Sequence, residues 1–232
     1  MIAWLGEEGW QAVLLSLKVS FWATLISLPF AIAIALVLSR KEFSGKQLVN
    51  GIVHLPLILP PVVTGYVLLM VFGRRAPIGS FLEDTFGLVL AFRWTGAAVA
   101  AAVMAFPLMV RAIRLAIDAV DPGLEDAAST LGAPRWRVFS TVTLPLITPG
   151  ILTGAVLGFA KAMGEFGATI TFVSAIPGRT QTLPSAIYGF LQVPGGETQA
   201  LRLVIVSVAV AMAALLLSEL ISRRVARRIA GQ

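Results

Sequence analysis

Few residues in this chain can do chemistry, and their types narrow what that chemistry is. Cysteine is absent and His54 is the sole histidine, which removes thiol nucleophiles, disulfides, Cys/His zinc sites and any histidine-based triad. No convergent set of nucleophile, base and metal ligands remains, so a membrane enzyme is disfavoured. The nearest approach to a phosphate-binding loop is Gly45-Lys46-Gln47, which lacks the first glycine and the hydroxyl residue of that motif. The chain cannot hydrolyse ATP by that route. What remains is a charged pair, Lys161 and Glu165, one helical turn apart, and a run of hydroxyls at Thr169, Thr171 and Ser174 behind Gly164 and Gly167. Hydroxyls, backbone N–H groups and helix N-termini are what hold a tetrahedral dianion. Thr64 and the backbone at Pro60 and Pro61 can face them from another segment. The same threonines can equally bond their own helix carbonyls.

The elements that position these groups are membrane spans. Of 232 residues, 57% are hydrophobic and 13% charged, against about 25% charged in soluble domains. The bilayer is the solvent that satisfies such a composition. Five apolar stretches run from Trp10 to Leu38, Ile52 to Phe72, Thr95 to Ile113, Thr148 to Met163 and Ala200 to Ile221, with lengths near the ~20 residues a spanning helix needs. A further piece, Pro184 to Val193, is too short to cross and reads as a re-entrant or interfacial helix. The expected fold is therefore all-α and polytopic.

Lys and Arg total 18 against 12 acidic residues, for a net charge of +6. In so apolar a chain this reads as the positive-inside rule rather than nucleic-acid binding. Arg40, Lys41, Lys46, Arg111, Arg114, Arg135, Arg137 and the C-terminal Arg223, Arg224, Arg227 and Arg228 fall on one side. Only Arg74, Arg75, Arg93, Arg179 and Arg202 fall on the other. The bias predicts a periplasmic N-terminus and a cytoplasmic C-terminus, whose arginines anchor to the inner leaflet; a sixth span would move one terminus. Glu7 and Glu8, with no basic residue before the apolar stretch, do not make a cleavable signal peptide.

Three features set these spans apart from plain anchors. Pro56, Pro60 and Pro61 interrupt the second, which either lines an interior path or is a proline-started helix with an interfacial lead-in over 51–59. Pro29 and Pro107 predict kinks in the first and third. Gly150, Gly154 and Gly158 recur every four residues in the fourth, a helix-packing ridge that is either a moving contact in a gate or static packing. Lys161 and Glu165 either pair as part of an external gate, or Lys161 snorkels outward with Glu165 in a vestibule. His54 reads as a capping or interfacial residue.

The loop from Arg114 to about Ile147 is too amphipathic to be a linker. Asp121-Pro122 starts a helix, Leu124, Ala127, Ala128 and Leu131 keep helical spacing, and Gly132 and Pro134 end it and begin another. Trp136, Val138 and Phe139 make the second piece apolar on one side until Leu144-Pro145 stops it. The stretch Asp126-Ala127-Ala128-Ser129-Thr130-Leu131-Gly132, followed after nine intervening residues by Val142-Thr143-Leu144-Pro145, resembles the EAA motif of ABC-importer membrane subunits. The resemblance implies one transmembrane domain over 1–232 with its coupling loop at 121–147. Glu125, Asp126, Ala127, Ala128, Gly132 and Arg135 would there meet a cytoplasmic ATPase. Asp126 stands where that family most often has Glu, with Glu125 immediately before it.

Further segments, Gly164 to Ser174, Leu183 to Tyr188, Pro194 to Glu197, His54 to Leu57, Leu59 to Val63 and Gly73 to Arg75, resemble molybdate transporter permeases over nearly the whole chain. This likeness implies a homodimer in the bacterial inner membrane with two ATPase subunits, which hold ATP and magnesium, and a periplasmic molybdate-binding protein. It implies no cofactor in this chain, and molybdate as the cargo. The alternatives are a sulfate, thiosulfate or tungstate permease, or an ATP-independent secondary anion transporter, whose inverted-repeat symmetry the sequence does not display.

Overall fold

The computed structural model describes residues 2–229, with side chains described at 4–217 and at 220. Every regular element among them is helical. In order these are α1 (Ile2–Arg40), α2 (Lys46–Ile58), α3 (Pro61–Phe72), α4 (Pro77–Phe86), α5 (Trp94–Asp118), α6 (Pro122–Thr130) and α7 (Arg135–Val138). A π-helical turn (Phe139–Thr143) then leads to α8 (Leu144–Met163), α9 (Gly167–Val173), α10 (Leu183–Leu191) and α11 (Glu197–Ile229). The arginines at 223, 224, 227 and 228 lie on the helical backbone of α11, and their side chains fall outside the described ones.

Helix α5 is the axis of the bundle. Its alanine-rich first half, Ala97 to Ala105, and its second half around Met109, Val110, Ile113 and Ile117 are buried between α1, α8 and the short helices. The outward faces stay apolar: Phe21, Leu25 and Phe30 on α1 and Leu215 to Leu217 on α11 are exposed. In water that surface would be costly, about 25 cal/mol per Å²; in hydrocarbon it is the expected exterior. Four helices are long and apolar enough to cross a bilayer, and a fifth span exists if α2 and α3 count as one.

The second stretch is not one rod. α2 and α3 bend by 114° at Leu59-Pro60, because Pro60 and Pro61 withdraw consecutive backbone donors and α3 restarts with a proline in its first turn. That is the proline-started arrangement with a helical lead-in. By contrast, α1 and α5 keep helical backbone through Pro29 and Pro107; the non-helical residue inside α1 is Gly6, at φ 71°.

Leu144-Pro145 does not stop its helix as expected. The Leu144 N–H reaches back to the Phe139 carbonyl, a five-residue step that widens the turn where Pro145 would otherwise clash. α7, the π turn and α8 thus form one 29-residue apolar rod from Arg135 to Met163. Helix α4 was not anticipated. It folds back on α3, where a Cβ at Gly79 would lie 1.9 Å from the Gly73 carbonyl oxygen. α10 has 9 residues, about 13 Å at 1.5 Å per residue and too short to cross. Ser16 on α1 accepts its first N–H, from Leu183, at 2.6 Å.

Candidate functional site

Between α8 and α9 the chain breaks at Gly164-Glu165-Phe166, and the break is organised by one carboxylate. The Glu165 side chain is 2% exposed. Its Oε2 receives Lys161 Nζ at 3.0 Å, and its Oε1 accepts the Ala168 N–H at 3.0 Å. The first bond reaches back one turn along α8 and the second caps the start of α9. A helix N-terminus carries a partial positive charge, so Glu165 neutralises both that end and Lys161. Intramembrane charge survives by such pairing. The carboxylate is covered within the chain, and Lys161, at 30%, is the partly exposed member of the pair.

Helix α9 then lies against α3, with backbone meeting backbone. A Cβ at Gly65 would sit 2.5 Å from the Ala168 carbonyl oxygen, and one at Gly167 would sit 2.7 Å from Pro61 Cβ. The two helices start side by side, so Pro61, Thr64, Glu165 and Thr171 are gathered at one crossing. Thr64 Oγ1 is buried with no hydrogen-bond partner among the described residues. Thr169 is buried, while Thr171 donates to the Gly167 carbonyl at 2.8 Å within its own helix. Ser174 is not at the crossing: it lies beyond the far end of α9, exposed, at φ 61°. Pro60 is the exposed corner residue before α3.

The ridge on α8 packs inside the chain, on α5. A Cβ at Gly150 would meet Ala116 Cβ at 2.1 Å, one at Gly154 would meet Ile113 Cγ1 at 3.1 Å, and one at Gly158 would meet Met109 Sδ at 2.6 Å. His54 is half-buried and its Nδ1 donates to the Asn50 carbonyl at 2.9 Å, one turn back on its own helix.

At the opposite end of the bundle, α6 and α7 form an elbow. Asp121 caps α6 by accepting the Gly123 N–H at 2.8 Å, and Gly132, at φ 83°, turns the chain toward α7. The two neighbouring carboxylates face different ways. Glu125 Oε1 receives Arg40 at 3.0 Å and the Thr143 hydroxyl at 2.7 Å, tying the elbow to the end of α1 and to the π turn. Asp126, Ala127 and Arg135 are exposed, and Ala128 is half-buried. Around them Leu124, Leu131 and Trp136 are exposed, Leu131 at 88% and Trp136 at 70%.

Sequence reasoning missed the Gly65–Ala168 contact and the Arg40–Glu125–Thr143 tie. Isolated glycines carry no period, and Arg40 lies 85 positions from Glu125. The elbow and the joint together hold groups that position helices in a multi-span bundle.

Comparison with known proteins gives the class, a membrane component of a transport system. Residues 27–230 match the family described as binding-protein-dependent transport system inner membrane component, and the chain belongs to that family. It is 62% identical over 208 residues to the molybdenum transport system permease protein ModB of Escherichia coli strain K12, covering 90% of this chain and 91% of that protein. It is 55% identical over 202 residues to the ModB protein of Haemophilus influenzae, covering 87% and 88%. Among solved structures, a bacterial ABC transporter involved in import of the acidic polysaccharide alginate shares the fold at a TM-score of 0.75 and 20% identity. That match covers 94% of this chain and 80% of the other.

Proposed function

We propose that this chain is the membrane-spanning subunit of an ATP-driven importer that carries molybdate across the inner membrane by alternating access. The observation that carries the reading is the 62% identity, over nearly the full length of both chains, to a molybdenum permease. In this reading α2 and α3 together make the fifth span, the N-terminus is periplasmic and the C-terminus cytoplasmic. Two copies enclose the path, two cytoplasmic ATPase subunits supply ATP and magnesium chemistry, and a periplasmic binding protein delivers the anion.

The geometry supports a division of labour. Asp126 and the apolar side chains of Leu124, Leu131 and Trp136 form the face offered to the ATPase, with Ala127, Ala128, Gly132 and Arg135 shaping it. Glu125 braces that face from behind through Arg40 and Thr143. A displacement of the elbow passes into the continuous α7–α8 rod and, through Glu165 and Lys161, into α9 and its crossing with α3. Gate and path residues are then Pro60, Pro61, Thr64, Lys161, Glu165, Thr169, Thr171 and Ser174. The buried Thr64 hydroxyl, without a partner among the described residues, would meet a passing oxyanion when the α3–α9 crossing opens, and the anion must be held weakly to leave again.

Reconstitution with the ATPase in liposomes tests this. ATPase activity is expected to rise with binding protein loaded with molybdate, and Asp126→Arg is expected to abolish co-purification of the ATPase. Stimulation by sulfate-loaded binding protein alone would assign the cargo to the sulfate class. Uptake that persists without any ATPase would make the chain a secondary transporter.

A further inference from the structure

At the end of the bundle opposite the elbow, α1, the segment before α5 and the loop after α9 form an open cavity of about 500 Å³ lined by Lys18, Phe92, Arg93, Trp94 and Arg179. Arg93 and Arg179 also line an adjoining cavity of about 220 Å³ with Arg74. No carboxylate lines either cavity among the described residues. Arg74 is paired with Glu83 at 3.4 Å; Lys18, Arg93 and Arg179 make no salt bridge within the described residues, although Lys18 Nζ sits 3.8 Å from the Trp94 ring centroid. Three uncompensated cations around one concavity attract an anion.

Trp94 also lines a second, wholly apolar groove of about 340 Å³ between α1 and α5, with Trp22, Ile26, Ala98 and Ala102. Ile26 and Ala102 carry that groove on into another of about 360 Å³ that reaches Phe30 and Phe106. From Trp94 to Phe106 along α5 is about 18 Å at 1.5 Å per residue, close to half the ~30 Å hydrocarbon thickness. The basic cavity and the apolar groove meet at a tryptophan, the residue type favoured at the membrane–water boundary.

A free oxyanion would use the cations and leave the groove unfilled. A helix of another subunit would fill the groove and cover three cations with no countercharge, at a cost that intramembrane charges normally avoid. An amphiphile with an anionic head satisfies both parts. We propose that this groove holds one anionic phospholipid of the leaflet opposite the elbow. Its phosphate sits among Lys18, Arg93 and Arg179, and one acyl chain lies along α1 and α5 past Trp94. The site requires only that the chain span a bilayer, and stands whichever anion is carried.

Native mass spectrometry of the full chain, released from detergent with phosphatidylglycerol or phosphatidylcholine of matched acyl chains, tests this directly. Phosphatidylglycerol is expected to be retained at least about tenfold better, given the electrostatic worth of basic residues near a lipid surface. Joint replacement Lys18→Gln, Arg93→Gln and Arg179→Gln should remove that preference. Ile26→Trp, which fills the groove from its exposed side and leaves the cations in place, should lower retention of both lipids. Equal retention of the two lipids by the native chain would overturn the proposal, as would retention unaffected by both variants. Displacement of the lipid preference by millimolar phosphate or molybdate would reassign the cavity to a free oxyanion. Loss of a dimer mass in Ile26→Trp with lipid binding unchanged would reassign the groove to a second copy.

Discussion

The α5–α8 crossing and the α3–α9 crossing both depend on missing side chains, yet what fills the space differs. Along α8 the glycines receive chiefly side chains of α5, Ala116, Ile113 and Met109, with the Met109 carbonyl oxygen farther off, 3.2 Å from a Cβ at Gly154. At α9 the glycines receive backbone, the Ala168 carbonyl against Gly65, together with the rigid ring of Pro61 against Gly167. The first crossing joins helices of 25 and 20 residues; the second joins pieces of 12 and 7, each starting at a break. Long helices interlocked by side chains make a frame with some give. Short helices in backbone contact have no side chain to absorb a misfit, so they keep their mutual position and move as a unit.

The largest expected effect tests the joint that carries that unit. Glu165→Ala removes the partner of Lys161 and the acceptor of the Ala168 N–H together. It should cost about 3 kcal/mol in thermal unfolding, at the low end for buried pairs because Lys161 is 30% exposed. Glu165→Gln keeps an acceptor for Ala168 and should recover roughly half of that. Identical losses in the two variants would mean that only the ion pair matters.

Next in size is the contrast between the glycines themselves. Gly65→Ala places a methyl 2.5 Å from a carbonyl oxygen that cannot retreat without moving α9, and molybdate uptake should fall at least about tenfold. Gly154→Ala meets Ile113 Cγ1 at 3.1 Å and the Met109 carbonyl oxygen at 3.2 Å, contacts that a shift of a few tenths of an ångström relieves, and should cost about 1 kcal/mol with uptake retained. Matching uptake in the two variants would erase the distinction between frame and moving unit.

Thr64→Val should act in opposite directions on stability and transport. Replacing a buried hydroxyl that has no partner among the described residues with a methyl should raise stability by about 1 kcal/mol, while uptake falls if that hydroxyl meets the anion. The comparison is Thr171→Val, whose hydroxyl already bonds the Gly167 carbonyl; it should change stability by about 0.5 kcal/mol or less and lower uptake less than Thr64→Val does. Smallest is Glu125→Gln. Its pair with Arg40 is partly exposed on both sides, at 23% and 29%, so a loss of about 0.5–1 kcal/mol is expected, read as a shift in the thermal midpoint.

What was legible in the sequence had a period or a local cap. Gly150, Gly154 and Gly158 announce a ridge by their spacing, and Asp121-Pro122 and Gly132 bound α6 by backbone chemistry that acts within a few residues. The EAA-like stretch carried the family, which the comparisons confirm. What was illegible came from distance or from compensation. Lys18, Arg93 and Arg179 converge across 161 positions with no shared pattern. Gly65 looks like any small residue in an apolar run until α9 is laid on it. Pro145 signals a stop by its own chemistry, and only the wider turn before it lets the helix continue.

That wider turn has a geometric consequence for everything that precedes it. A π turn holds one residue more than an α-helix would over the same length, and each residue in a helix subtends about 100°. The azimuth of Trp136 and Arg135 around the α8 axis is therefore offset by roughly that angle from what a regular helix would give them. Straightening the turn with every residue kept would swing the tryptophan to a different compass bearing while the contacts of α8 with α5 stay in place, whereas removing one residue between Phe139 and Thr143 would straighten it and keep the present bearing.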